Sequence, residues 1–85
     1  MLILNNNTPS IDLHGEDKIN ALIKVDEFIN DSIKLKQKYI ILIHGKGEGI
    51  LKKAIHEYLK NDKRIEDYKL DINIGQTIVS LKFIN

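Results

Sequence analysis

The chain carries two His-Gly steps thirty residues apart, Leu13-His14-Gly15 and Ile43-His44-Gly45. Each closes a short apolar stretch and precedes a helical pattern. A strand, a helix and a second parallel strand form one β-α-β unit, and the C-terminal ends of its strands lie on the same side of the sheet. Both His-Gly steps are therefore expected at one end of one sheet. His14, Gly15, His44, Gly45 and Lys46 should converge there if the two strands are neighbours. In open α/β sheets that end is where ligands usually bind.

The rest of the chain fits this frame. Ser10–His14 reads as the first strand, with Ile11 and Leu13 facing one way and Asp12 and His14 the other. Gly15 ends it, and Asp17 can cap the helix that follows. Leu22, Val25, Ile29 and Ile33 form that helix's apolar stripe, broadened by Ala21 and Phe28, with an end near 34–36. Tyr39–His44 is a continuous apolar run, as expected of a strand buried on both faces. A second helix follows, with Leu51, Ala54, Ile55, Tyr58 and Leu59 on one face. Tyr68, Leu70 and Ile72 alternate in a third strand, and Val79, Leu81 and Phe83 in a fourth. Asn73-Ile74-Gly75-Gln76 is the turn between them. The predicted fold is α/β, ordered β-α-β-α-β-β, with two helices on one face of a four-stranded mixed sheet.

Residues 1–9 read as a polar tail ending at Pro9, and residues 10–85 as one domain. A chain of this length buries only ~60–65% of its unfolded surface, so a shallow groove is expected rather than a deep pocket. Cysteine is absent from the sequence, which excludes disulfides and thiolate metal sites. The N-terminal apolar stretch is too short for a signal peptide, and no run approaches a membrane span. A cytoplasmic location is the expectation, and the oligomeric state stays open.

The net charge is +1, but it is unevenly distributed. Residues 1–33 sum to −4, residues 34–64 to +6 and residues 65–85 to −1. Positive charge thus concentrates around the second His-Gly step and the helix after it. Such a patch can bind phosphates on a nearly neutral protein, and it is equally what a solvated Lys-rich helix face looks like.

Two constellations could carry chemistry. Asp12 and His14 project from the same face of the first strand. A carboxylate can orient a neighbouring imidazole and raise its pKa for acid–base work. Two exposed polar residues on an amphipathic strand would read the same way. His44-Gly45-Lys46-Gly47-Glu48-Gly49 is the second. Its glycines let the backbone approach a ligand, and its N–H groups with the helix N-terminus form an anion site to which Lys46 adds charge. It matches neither the Walker A nor the dinucleotide fingerprint, and a turn glycine-rich for steric reasons is the alternative. His56 is read as a surface helix residue, Tyr58, Tyr68 and Phe83 as core, and Tyr39 as packing residue or stacking platform. His14 and His44 lack a third ligand besides Asp12, which argues against structural zinc.

Taken together, Ile11-Asp12-Leu13-His14-Gly15, a helix, and Ile43-His44-Gly45-Lys46-Gly47-Glu48-Gly49 with Leu51 opening a second helix resemble the small MutS-related (Smr) domain family. The resemblance runs from about Ser10 to Phe83. It implies a two-layer α/β sandwich and a nucleic-acid role, since members are similar to DNA-nicking endonucleases or associated with RNA cleavage and ribosome quality control. By position, Asp12 and His14 match the motif linked to activity. His44, Gly45, Lys46, Gly47 and Gly49 match the motif linked to nucleic-acid contact and the site. The family often carries a glycine-rich loop before its last strand. This chain keeps only Gly75 there, which weakens the case for a phosphate contact from that edge.

Three functions follow. In the first, an endonuclease, Lys46, Lys52, Lys53 and the Gly45–Gly49 amides hold phosphates. Asp12 and His14, with His44, form the catalytic set. With RNA the 2′-hydroxyl can attack without a metal; with DNA water must be activated, which favours a divalent ion such as Mg²⁺ on Asp12, although one carboxylate is a thin metal site. The second is a non-catalytic module for DNA, RNA or the ribosome. The third is a protein-interaction domain that uses the uncovered sheet face.

Overall fold

A computed structural model describes residues 8–46, 49–71 and 75–82. Strand β1 (Ser10–Asp12) leads through helix α1 (Lys18–Lys34) to β2 (Tyr39–Ile43). Helix α2 (Ile50–Lys60), β3 (Ile65–Asp71) and β4 (Gln76–Leu81) follow. The sheet order is β1-β2-β4-β3, with β1 parallel to β2 and β4 antiparallel to both β2 and β3. The crossovers β1-α1-β2 and β2-α2-β3 both step across the sheet in the same direction. Crossovers of one hand then place both helices on the same face, giving the expected two-layer arrangement.

Asp17 caps α1: its Oδ1 accepts the Asn20 N–H at 2.8 Å, offsetting one of the helix's orphan donors. The buried line of α1 is Ala21, Val25, Ile29 and Ser32, with Leu22, Phe28 and Ile33 half-buried beside it. Helix α2 buries Ala54, Ile55 and Leu59. Beneath the helices lie Leu13, Ile40, Leu42, Val79 and Leu81, each fully buried. Complete burial of one such side chain stabilises the fold by about 2 kcal/mol, so this single layer carries most of the stability.

Four expectations shift. Strand β1 ends at Asp12 rather than His14, because the Asp12 carboxylate captures the His14 N–H and turns the chain. Strand β2 is buried on one face only: Ile40 and Leu42 are covered, while Tyr39, Ile41 and Ile43 are half-exposed on the face without helices. The run looked two-sided because its uncovered face is apolar as well. Strand β3 begins at Ile65, where Glu66 makes a bulge before regular pairing with β4. Gln76, expected in the last turn, is the first residue of β4. The expected tail at 1–9 is described only from Thr8, and Gly47, Ile72 and Phe83 lie outside the described residues.

Candidate functional site

The parallel β1–β2 pair brings the two His-Gly steps together. Leu13 N–H donates to the Ile43 carbonyl at 2.7 Å, which extends the β1–β2 pairing to the threshold of the turns. Gly15 and Gly45 both have positive φ, +84° and +88°, where a side chain is strained. A Cβ on Gly45 would sit 3.0 Å from His14 Cδ2. The first turn's imidazole therefore lies directly against the backbone of the second.

The β3–β4 turn closes the cluster from the other side. The Gly75 carbonyl accepts the N–H groups of both His44 and Gly45, at 3.0 and 2.9 Å. A Cβ on Gly75 would meet the Gly45 carbonyl carbon at 2.5 Å and Lys46 N at 2.8 Å. The remaining glycine before the last strand thus buttresses the loop. The expectation that the Gly45 amide faces a phosphate is corrected here: that N–H is engaged within the protein, and Gly45 contributes shape.

Asp12 and His14 are both exposed. Asp12 Oδ1 accepts the backbone N–H of His14 at 2.9 Å. The carboxylate thus holds the turn rather than the ring, and the imidazole is oriented by packing on Gly45. His44 is different. It is 6% exposed, and both ring nitrogens are bonded. Nδ1 lies 3.1 Å from the Gly45 carbonyl, which can only accept, so Nδ1 carries the hydrogen. Nε2 lies 2.9 Å from Thr77 Oγ1.

Thr77 is fully buried, and its Oγ1 is also 2.7 Å from His56 Nε2. A hydroxyl has one hydrogen to give. With Nδ1–H on a neutral His44, Thr77 donates to His44 Nε2 and accepts from His56 Nε2–H. Burial is the main cause that holds both histidines below their ordinary pKa of 6.5. The Lys52 ammonium lowers both further, and His44 also lowers His56. His56 is accordingly a half-buried member of the site rather than a surface residue, and its ring packs edge-on against Tyr68 with centroids 5.0 Å apart. It was missed because its partners, Thr77 and Tyr68, come from distant strands. Its place on the α2 face turned toward β3 was the only local signal.

His44, Gly45, Lys46, Gly49, Lys52, Leu70 and Gly75 line a small cleft of about 150 Å³. Gly49 begins α2 at φ +83°. Lys53 is exposed in the first turn of α2. Lys46, Lys52 and Lys53 make no ion pair among the described residues. No three metal-ligating side chains cluster among those residues either. Asp12 thus belongs to no three-ligand set for Mg²⁺, and the residues described do not fit a protein-held metal centre.

The Smr domain family model matches residues 11–82. The chain belongs to the Smr domain family. Its Smr domain is 41% identical over 63 residues to Endonuclease MutS2 of Symbiobacterium thermophilum, covering 74% of this chain and 8% of that protein. It is 37% identical over 76 residues to Endonuclease MutS2 of Finegoldia magna, covering 85% and 10%. The chain thus spans about a tenth of the length of these relatives. Among solved structures, the Smr domain of Thermus thermophilus MutS2 superposes with a TM-score of 0.83 at 34% identity, covering 88% of this chain and 99% of that one. YdaL, a stand-alone small MutS-related protein from Escherichia coli, shares the fold with a TM-score of 0.79 at 19% identity, over 89% and 66% of the two chains. No helix among the described residues of this Smr domain is long and apolar enough to cross a membrane.

Proposed function

We propose that this Smr domain binds nucleic acid at the His-Gly end of its sheet and cleaves a phosphodiester bond there. The observation that carries the reading is the exposed Asp12–His14 turn packed directly on the Gly45 backbone, beside Lys46 and the α2 lysines Lys52 and Lys53, which make no ion pair among the described residues. Acid–base groups and phosphate-binding groups are then within reach of one substrate phosphate. The endonuclease names of the full-length relatives support the same reading.

The roles divide by exposure. Lys46 and Lys52 hold the phosphate, joined by the adjacent Lys53 in the first turn of α2. His14 and Asp12, both open to solvent, exchange protons with the attacking and leaving oxygens. On RNA the 2′-hydroxyl attacks phosphorus while one group takes its proton and the other protonates the departing 5′-oxygen. Such transfer contributes about 10²–10⁴-fold. His44 acts as a positioning residue through Gly45 and Thr77, since neither of its nitrogens is open to a substrate. Gly47, outside the described residues, keeps its place in the phosphate loop by motif alone.

The test is cleavage of supercoiled plasmid and of structured RNA, with and without Mg²⁺, by wild type, His14→Ala and Asp12→Asn. Asparagine retains an oxygen for the His14 N–H. Loss of cleavage by at least ~10²-fold with binding intact is the expected result. Binding without cleavage by the wild type would replace this reading with a non-catalytic nucleic-acid or ribosome-binding module. Equal cleavage by all three proteins would overturn the catalytic assignment.

A further inference from the structure

The loop cleft does not end at the loop. A second, larger groove of about 480 Å³ runs between α2 and β3, lined by Gly49, Lys52, Lys53, His56, Lys60 and Tyr68, with Glu57 as its acidic member. Gly49 and Lys52 line both hollows. The cationic surface is therefore continuous from the His-Gly loop down α2.

The spacing is what a helix dictates. Gly49, Lys53, His56 and Lys60 recur at intervals of three and four residues, so they share one stripe. From Lys52 to Lys60 the helix advances about 12 Å, too far for one phosphate group to touch both ends. An occupant that engages the whole stripe must repeat its negative charge along its length. Lys52, Lys53 and Lys60 make no ion pair among the described residues. The groove also offers rings: Tyr68 is half-buried, and His56 stands edge-on against it. Because His56 Nε2 is held by Thr77, Nδ1 is the nitrogen left to meet a ligand.

We propose that the α2–β3 groove is a second binding subsite, which takes the sugar-phosphate backbone of a single nucleic-acid strand continuing from the His-Gly loop, with Lys53 and Lys60 on its phosphates and Tyr68 and His56 against a base. Phosphate repeats match the run of cations, and stacking on an aromatic ring that lines the groove tolerates any base. The inference rests on the nucleic-acid reading above and adds the path of the strand. RNA and DNA share this chemistry, and the experiment separates them.

The experiment is a titration of the whole chain with fluorescent single-stranded RNA and DNA 12-mers over a range of salt. The chains compared are wild type, Lys60→Gln, Glu57→Gln and Lys34→Gln. Lys34 is the control, an exposed lysine in the last turn of α1 that does not line the groove. Lys60→Gln should weaken binding several-fold and lower the slope of log K against log salt by ~0.7, one phosphate contact on a single strand. Glu57→Gln should tighten binding, Lys34→Gln should leave it unchanged, and the His56 imidazole NMR signals should move on titration. Wild-type binding with the same slope in Lys60→Gln would overturn the groove and leave the loop reading standing. Equal losses in Lys60→Gln and Lys34→Gln would also overturn it, because the effect would then be general charge. No wild-type binding to either strand would overturn the single-strand groove, while the loop reading would still be decided by the plasmid and structured-RNA assay above.

Discussion

The two ends of the sheet are held together differently. At the end opposite the His-Gly turns, Arg64 donates to Asp62, Asp26 and the Tyr58 hydroxyl, joining α1, α2 and the start of β3. Lys38 pairs with Glu66 and also donates to the Leu81 carbonyl. At the His-Gly end Glu16 pairs with Lys24, but Lys46, Lys52 and Lys53 make no ion pair among the described residues, and the second turn is held instead by glycine contacts and two neutral histidines on one hydroxyl. Charge that is paired internally adds cohesion; charge left unpaired on a rigid backbone is free for a ligand. One end fastens the layers, and the other holds the turns from which we propose the binding surface starts.

The largest effect that would test this division is Gly75→Ala. Its Cβ would fall within 2.8 Å of the Gly45–Lys46 peptide, where only backbone can give way. A loss of about 3 kcal/mol is expected, measured by urea unfolding, with nucleic-acid binding impaired in whatever remains folded. Wild-type stability would mean that the loop end yields easily, and the contrast between the ends would collapse.

A smaller loss is expected from Arg64→Leu. It leaves the Asp62 carboxylate, only 10% exposed, without its guanidinium. About 2 kcal/mol should be lost, while nucleic-acid affinity stays at the wild-type value. A matching fall in affinity would show that the two ends are coupled rather than separate.

The finest discrimination is by pH. His44 and His56 lie below their ordinary pKa of 6.5, chiefly through burial. Their fold favours the neutral ring, so the unfolded chain takes up protons first. Stability from this end is complete above about pH 6.5 and declines as pH falls below it. Asp26 and Asp62 lie below 3.8; hydrogen bonds are the leading cause, from Tyr58 and Arg64 for Asp26 and from Arg64 for Asp62. Stability from that end persists through mild acid and declines only as pH falls below 3.8 toward the folded values. Thermal midpoints should therefore fall in two separate steps. His56→Gln should shrink the first step and Arg64→Leu the second. A single step, unchanged by either substitution, would refute the assignment.

Much of this was legible beforehand because it is local. Asp17 as a cap, the α1 stripe through Val25 and Ile29, and Leu81 and Val79 as inward positions all follow from side chains meeting neighbours a few residues away. The end of α1 was less legible. Lys36 takes φ +57° where glycine is usual, and it completes a Schellman turn with Gln37 N–H on the Ser32 carbonyl. No glycine marks that stop, so the sequence pattern left it spread over three residues.

By itself the sequence determined the order of elements, the inward faces of the helices and the placing of both His-Gly steps at one end of the sheet. These depend on periodicity and on the parallel pairing of neighbouring strands. Only the tertiary structure decided what each histidine does. His14 stays exposed against Gly45, His44 is enclosed with both nitrogens bonded, and His56 is drawn in by Thr77. Hydrogen-bond partners 33 and 21 residues apart leave no periodic trace in a chain. They exist only once β4 has been inserted between β2 and β3.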